Sequence, residues 1–121
     1  MTHAQSSLHV WSVLVMAARN QQVLSYGTME AITGHPANLQ APILGRIEHY
    51  CKKKGFPKIT SILINQDEGV PGYLYPGYKG SAASLDPAVY LTLFKEQSLV
   101  FAFDWLKRLE HVAPCESDFA K

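Results

Sequence analysis

Cationic side chains recur at helical spacing between residues 39 and 54. Arg46, His49 and Lys53 are three and four positions apart, so on a helix they share one face. Further lysines follow at 52, 54 and 58. Such a row can neutralise several phosphates, which is the sequence-independent part of nucleic-acid affinity. The alternative is an ordinary solvated face. Lysines complement the negative end of a helix dipole in any case, and Glu48 interrupts the row.

The opposite face of the same segment is apolar, at Ile43, Ile47, Tyr50 and Cys51. Cys51 is therefore predicted to be a buried small side chain rather than a nucleophile, since no histidine is placed by the sequence to activate it. His111 and Cys115 lie four positions apart, but two potential ligands do not make a metal site. We expect no catalytic residue, no metal and no other cofactor.

Three tyrosines, Tyr73, Tyr75 and Tyr78, lie in a stretch rich in proline and glycine. Because this stretch lacks core periodicity, exposed rings there could stack on bases or anchor a protein partner. Packing back onto the C-terminal helices is an equal alternative. These tyrosines are the candidate partner-binding residues.

The net charge of +1 is unevenly distributed along the chain. Residues 1–60 carry six Lys/Arg against two Asp/Glu, and residues 61–121 carry five against eight. The N-terminal half is therefore the half expected to face a polyanion. No apolar run is long enough for a membrane span, and two distant cysteines without ligand spacing are typical of a reducing cytoplasm. We expect a cytoplasmic protein without a membrane partner.

With 121 residues, the chain is expected to form a single domain over 1–121. Helical periodicity and caps predict helices at 7–19, 28–33 and 39–54, where Pro42 is tolerable only in the first turn. The β-branched run Ile59 to Ile64 and residues 70–75 predict a hairpin. Two further helices are predicted over 87–97 and 98–112, with Leu99, Phe103, Leu106 and Val112 as core positions. The polar tail after Pro114 is expected to fray.

Three helices followed by a hairpin is the order of a winged helix. The predicted fold class is therefore α+β and mainly helical. It has a winged-helix-like core at 7–78 and a C-terminal helical extension at 86–112.

Residues 25–36, Ser-Tyr-Gly-Thr-Met-Glu-Ala-Ile-Thr-Gly-His-Pro, resemble the DNA-binding domain of the alkylguanine-DNA alkyltransferases and alkyltransferase-like proteins. Gly55-Phe56-Pro57 and the glycines at 69 and 72 fall where that family has its active-site strand and its wing. The likeness covers about 50 residues, from 25 to 75. It implies that Tyr26 matches the phosphate-rotating tyrosine, although a tyrosine at such a junction is more often a core residue. It also implies that Gln40 stands where the family has its arginine finger.

The departures from the family exclude its reaction at that site. Where the family has Pro-Cys-His-Arg, this chain has Pro57-Lys58-Ile59-Thr60, so both the nucleophilic thiolate and its histidine are missing. Base flipping is in doubt because Gln40 carries no charge.

Two hypotheses of different classes follow. The first is a non-enzymatic DNA-binding module that contacts DNA with helix 39–54 and the 66–78 wing. Its contact residues would be Tyr26, Gln40, Arg46, His49, Lys53 and Lys58. The alternative is a protein-binding inhibitor or immunity-type protein that blocks a nuclease or toxin, because the acidic C-terminal half could mimic nucleic acid toward a basic enzyme. No motif favours an enzyme.

Overall fold

The computed structural model describes residues 2–65, 69, 71, 87–105 and 114–119. Over these residues the fold is α+β and mainly helical, as the sequence predicts, and it includes a small two-stranded sheet. The elements in chain order are α1 (His3–Arg19), β1 (Leu24–Ser25), α2 (Tyr26–Thr33), α3 (Ala37–Lys54), a 3-10 turn (Ile59–Ile62), β2 (Leu63–Ile64), α4 (Pro87–Ala102) and a C-terminal 3-10 turn (Glu116–Phe119). Within the described ranges, no helix is both long and apolar enough to cross a bilayer.

Helix α1 begins four residues before the predicted start. Thr2 and Gln5 form a reciprocal capping box, in which Thr2 Oγ1 accepts from the Gln5 amide at 3.1 Å and Gln5 Oε1 accepts from the Thr2 amide at 2.8 Å. Ser7, the predicted cap, lies inside the helix and donates to the His3 carbonyl oxygen. The apolar spacing located the helix correctly, but the capping box extends it.

Helices α2 and α3 both end at a glycine in the left-handed conformation. The φ angles are 80° at Gly34 and 74° at Gly55, a region that glycine adopts without steric cost. Ser25, rather than Thr28, caps α2 by accepting from the Thr28 amide. Helix α3 begins at Ala37, so Pro42 lies in its second turn and the first-turn prediction is wrong. Pro42 has no N–H to donate, so the carbonyl four residues before it lacks its usual helical donor.

The segment from Ile59 to Ile64 is a strand only at its end. Ile59–Ile62 forms a buried 3-10 turn, and β2 then pairs in parallel with β1, Leu24 opposite Leu63 and Ser25 opposite Ile64. Residues 59–64, Ile-Thr-Ser-Ile-Leu-Ile, show no regular alternation of apolar and polar side chains, and their β-branched content favours a strand, which is why the sequence predicted too long a strand. The second arm of the predicted hairpin, 70–75, lies outside the described residues apart from Pro71.

Helix α4 is continuous from Pro87 to Ala102, so the predicted break at Ser98 is wrong. Leu93 and Val100 are fully buried, whereas Leu99 is 62% exposed and is not the core position that the sequence predicted. Gln97 Nε2 donates to the Ser61 carbonyl oxygen at 2.9 Å and fixes α4 against the 3-10 turn. Two predicted core positions, Leu106 and Val112, lie outside the described residues.

An aromatic cluster closes the core between α1, α3 and the C-terminal turn. The Trp11 ring lies 5.2 Å from Tyr50 and 5.6 Å from Trp105 between centroids, both edge to face, an arrangement that aromatic pairs prefer. Phe119 is fully buried and lies 5.0 Å from Tyr50. The tail was predicted to fray, but Phe119 supplies enough apolar surface to hold it against the core.

Candidate nucleic-acid interface

Helix α3 divides cleanly into a buried and an exposed face. Ile43, Ile47, Tyr50 and Cys51 are buried, as their spacing predicts. The exposed face carries small residues toward the helix N-terminus, and a histidine and two lysines toward the C-terminus, in the order Ala41, Pro42, Gly45, His49, Lys52 and Lys53. The lysines therefore lie at one end of a surface that is otherwise formed by small side chains.

Lys52, Lys53 and Lys54 occupy the last turn of α3 and are all exposed. Their position follows from the helix dipole, which is negative at this end and favours cations there. Lys54 Nζ also lies 5.9 Å from the centroid of the Tyr50 ring, a cation–π distance. Lys52 and Lys53 thus place two ammonium groups where a phosphate could reach them.

Arg46 is positioned differently from the other predicted contact residues. It is half-buried, and its Nη1 donates to the Phe119 carbonyl oxygen at 2.6 Å. A guanidinium has five N–H donors, so further donors remain beyond this bond. Arg46 therefore joins α3 to the C-terminal turn at the edge of the face that carries His49 and Lys53.

Gln40 lies inside the protein, not on the exposed face where the resemblance placed a DNA contact. Its side chain is 0% exposed, and Nε2 donates to the carbonyl oxygens of His35 at 2.7 Å and Tyr26 at 3.4 Å. These bonds hold the connection between α2 and α3, because Tyr26 is the first residue of α2 and His35 lies in the connection itself. Tyr26 is half-buried and packs against the core.

A groove of about 540 Å³ runs beside the cationic end of α3. Its lining residues come from α3 and from the segment that follows it, namely Gly45, Glu48, His49, Cys51, Lys52, Phe56 and Lys58. Glu48 is held in place, because its Oε2 accepts from the buried Thr60 hydroxyl at 3.0 Å. The groove thus brings two lysines, a histidine and an oriented carboxylate together around the half-buried ring of Phe56.

Cys51 forms part of the groove floor but is not set up as a nucleophile. Burial, together with the nearby Glu48 carboxylate, raises the pKa of its thiol to about 12, although a hydrogen bond involving the Ile59 backbone opposes the shift. The thiolate is the reactive form, so this cysteine stays protonated and inert near neutral pH. The prediction that Cys51 is a buried small side chain is confirmed by its 2% exposure.

The structure brings only part of the predicted site together. His49, Lys53 and Lys58 lie on or beside the same end of α3. Tyr73, Tyr75, Tyr78 and the wing over 66–78 fall outside the described residues, apart from Gly69 and Pro71. Within the described part of the chain, no three or more His, Cys, Asp or Glu side chains are grouped to hold a metal ion.

Two features escaped the sequence analysis. The contribution of Glu48 and Phe56 to a groove was missed, because the sequence showed Glu48 only as an interruption of the cationic row and Phe56 only as part of the Gly55-Phe56-Pro57 likeness. The exposed apolar side chains of α4 were also missed: Leu91 is 65%, Phe94 is 55% and Leu99 is 62% exposed. The apolar residues of α4 surround the helix instead of following one stripe, and this pattern could have revealed an apolar surface.

Comparisons of this chain with known proteins identify no family. A scan against protein-family models matches none, and searches of the curated proteins and of the solved structures likewise return no match. The likeness to the alkyltransferases therefore depends only on the residues that carry it, and it stays a prediction.

Proposed function

We propose that this chain is a non-enzymatic DNA-binding module that contacts the phosphate backbone with the exposed face of α3. The observation that carries the proposal is the cluster of exposed cations, Lys52 and Lys53 with His49 beside them, at one end of a face built otherwise from small residues. Small side chains let a rigid duplex approach the helix closely, and the lysines then lie within reach of its phosphates.

The groove residue Lys58 and the edge residue Arg46 extend this surface on its two sides. The resemblance to the alkyltransferase DNA-binding domain also supports α3 as the contacting helix, together with the 66–78 wing. Gln40 is left out of the proposed contact set because it is buried.

The test is a titration of a labelled duplex over a range of salt concentrations. Wild type is compared with a Lys52→Gln, Lys53→Gln double variant and with an Arg19→Gln, Lys95→Gln double variant. The control removes the same charge from exposed positions on α1 and α4. The Lys52→Gln, Lys53→Gln variant should lose two phosphate contacts. The slope of log binding constant against log salt concentration should then be less steep by about 2.

The control variant should keep the wild-type slope. No wild-type binding at low salt would refute the proposal, and so would an equal loss in both double variants, since that would reflect net charge alone.

The second candidate function is a protein-binding inhibitor that blocks a nuclease or toxin, and the apolar surface of α4 favours it. Leu91, Phe94 and Leu99 are large, exposed and close together in sequence, and exposed apolar groups of this kind mark interaction surfaces. A pull-down from the source cell would compare wild type with a Leu91→Asp, Phe94→Asp variant. A nuclease or toxin retained by wild type and by the lysine variant, but lost by the α4 variant, would favour this function over DNA binding.

A further inference from the structure

The groove beside α3 differs from a simple phosphate-binding surface because it contains a fixed carboxylate. Glu48 repels a phosphate, yet it lines the same cavity as Lys52 and Lys58. Its Oε2 is held by the Thr60 hydroxyl, so the carboxylate is oriented before any ligand arrives. The other carboxylate oxygen, Oε1, can then accept a hydrogen bond, and a ligand bound there must supply the donor group.

The groove also offers an aromatic surface. Phe56 is half-buried, and the rings of Tyr50, Phe103 and Trp105 pack against it at centroid distances of 6.0, 5.3 and 5.9 Å. A ring fixed in this way is a suitable platform for a nucleobase, because every base presents a π-face. The volume of about 540 Å³ lies within the range of pockets that hold small ligands.

The groove lining combines three chemistries: cations from Lys52 and Lys58, an aromatic ring from Phe56, and an acceptor from Glu48. A nucleotide has the matching groups, namely a phosphate, a π-face and, in some bases, an amino group. A base paired inside a duplex cannot present its face to Phe56, so the ligand must be unpaired.

We propose that this groove holds one unpaired nucleotide of a single strand, with its base on Phe56 and its amino group donating to Glu48. This inference rests on the proposed function, because it assigns the lysines beside the groove to the same phosphate backbone. Cytosine presents an N4 amino group to a carboxylate, whereas thymine presents a carbonyl oxygen at the same position. The chain should therefore prefer oligodeoxycytidine to oligothymidine.

The experiment titrates wild type and a Glu48→Gln variant with fluorescent deoxycytidine and thymidine oligonucleotides of equal length at pH 8 and low salt. Wild type should bind the cytidine strand roughly tenfold more tightly, since one charge-assisted hydrogen bond separates the two. The glutamine amide can donate as well as accept, so the variant should bind both strands with nearly equal affinity. The variant should also bind a duplex at least as tightly as wild type, because a negative charge beside the lysines is gone.

This combination separates the inference from a structural effect, because a damaged fold would lower the affinity for every nucleic acid. A Phe56→Leu variant, checked for folding by circular dichroism, should lose affinity for single strands while keeping duplex binding. Equal wild-type affinities for the two strands, or a preference unchanged in Glu48→Gln, would overturn the inference while leaving duplex binding intact. No binding of any nucleic acid at low salt would instead refute the proposed function itself.

Discussion

Gly45 stands in the middle of α3 without any internal packing reason. A Cβ built at this position meets no atom within 4 Å, and its φ angle is that of an ordinary helix. Glycine in a helix interior lowers stability because it loses more backbone freedom on folding than alanine does. The absence of a side chain here widens the groove and keeps the exposed face flat.

Gly45→Ala should therefore stabilise the protein by about 0.5–1 kcal/mol. The matched control is Gly34→Ala, which should destabilise it, because Gly34 has a φ of 80° and alanine is strained there. Urea denaturation of both variants measures the difference. A destabilised Gly45→Ala variant would show that the α3 face packs against something within the chain.

The two cysteines should differ sharply in reactivity. Cys115 is exposed and Cys51 is buried, with a thiol pKa raised to about 12 from 9.0. A thiol-reactive dye at pH 8 should label wild type once, and should label a Cys115→Ser variant only after denaturant is added. Rapid labelling of the folded Cys115→Ser variant would contradict the burial of Cys51.

Because the pKa of Cys51 is raised on folding, the free energy of unfolding should decrease as the pH rises into the alkaline range. The folded pKa is above the unfolded one, so the contribution of Cys51 is present below pH 9 and is lost as the pH rises toward 12. Burial and the nearby Asp118 raise the pKa of Tyr50 to about 12 in the same way, and its contribution is lost above pH 10. The melting temperature should therefore fall above pH 9.

At the scale of elements, α4 shows what sequence patterns can and cannot decide. Leu93 and Leu99 are both leucines of one helix, but the first is fully buried and the second is exposed. Leu93→Ala should cost about 2–5 kcal/mol through lost burial and a cavity. Leu99→Ala should change stability within about 0.5 kcal/mol. Comparable losses in the two variants would mean that the exposed side of α4 is covered.

The helices were predictable because spacing and stop signals are local. Gly34 and Gly55 directly follow the helices that they end, and the apolar face of α3 repeats every three to four residues. The parallel pairing of Leu24 with Leu63 was not predictable, since it joins segments that carry no complementary signal. The core positions of α4 were mispredicted for a related reason, because its apolar residues surround the helix and no single stripe marks the buried face.

Of the candidate site, only the positions of the charged residues could be predicted from the sequence. The row from Arg46 to Lys58 is readable from spacing, but burial and partners come from the rest of the molecule. Gln40 is buried by the α2 connection, and Arg46 is engaged by Phe119, which is far away in sequence. Glu48 gains its orientation from Thr60, which lies in a turn that the sequence presented as a strand.

At the scale of the whole molecule, the C-terminal turn connects the core to the face of α3. The Phe119 ring packs against both Trp11 and Tyr50, and its carbonyl oxygen accepts a hydrogen bond from Arg46. One residue thus stabilises the hydrophobic core and limits the orientation of a cation at the edge of the proposed interface. The side-chain ring of Phe119 makes the core contact, and its main-chain carbonyl oxygen makes the contact with Arg46.

The contact between Phe119 and Trp11 joins positions more than a hundred residues apart, and this separation has a kinetic consequence. A chain must lose loop entropy before so distant a contact forms, so we expect it to be absent from the folding transition state. Phe119→Ala should then speed unfolding and leave the refolding rate nearly unchanged, whereas Ser117→Ala should alter neither. Stopped-flow chevrons measure both rates. A refolding rate that falls with stability would instead place residue 119 in the folding nucleus.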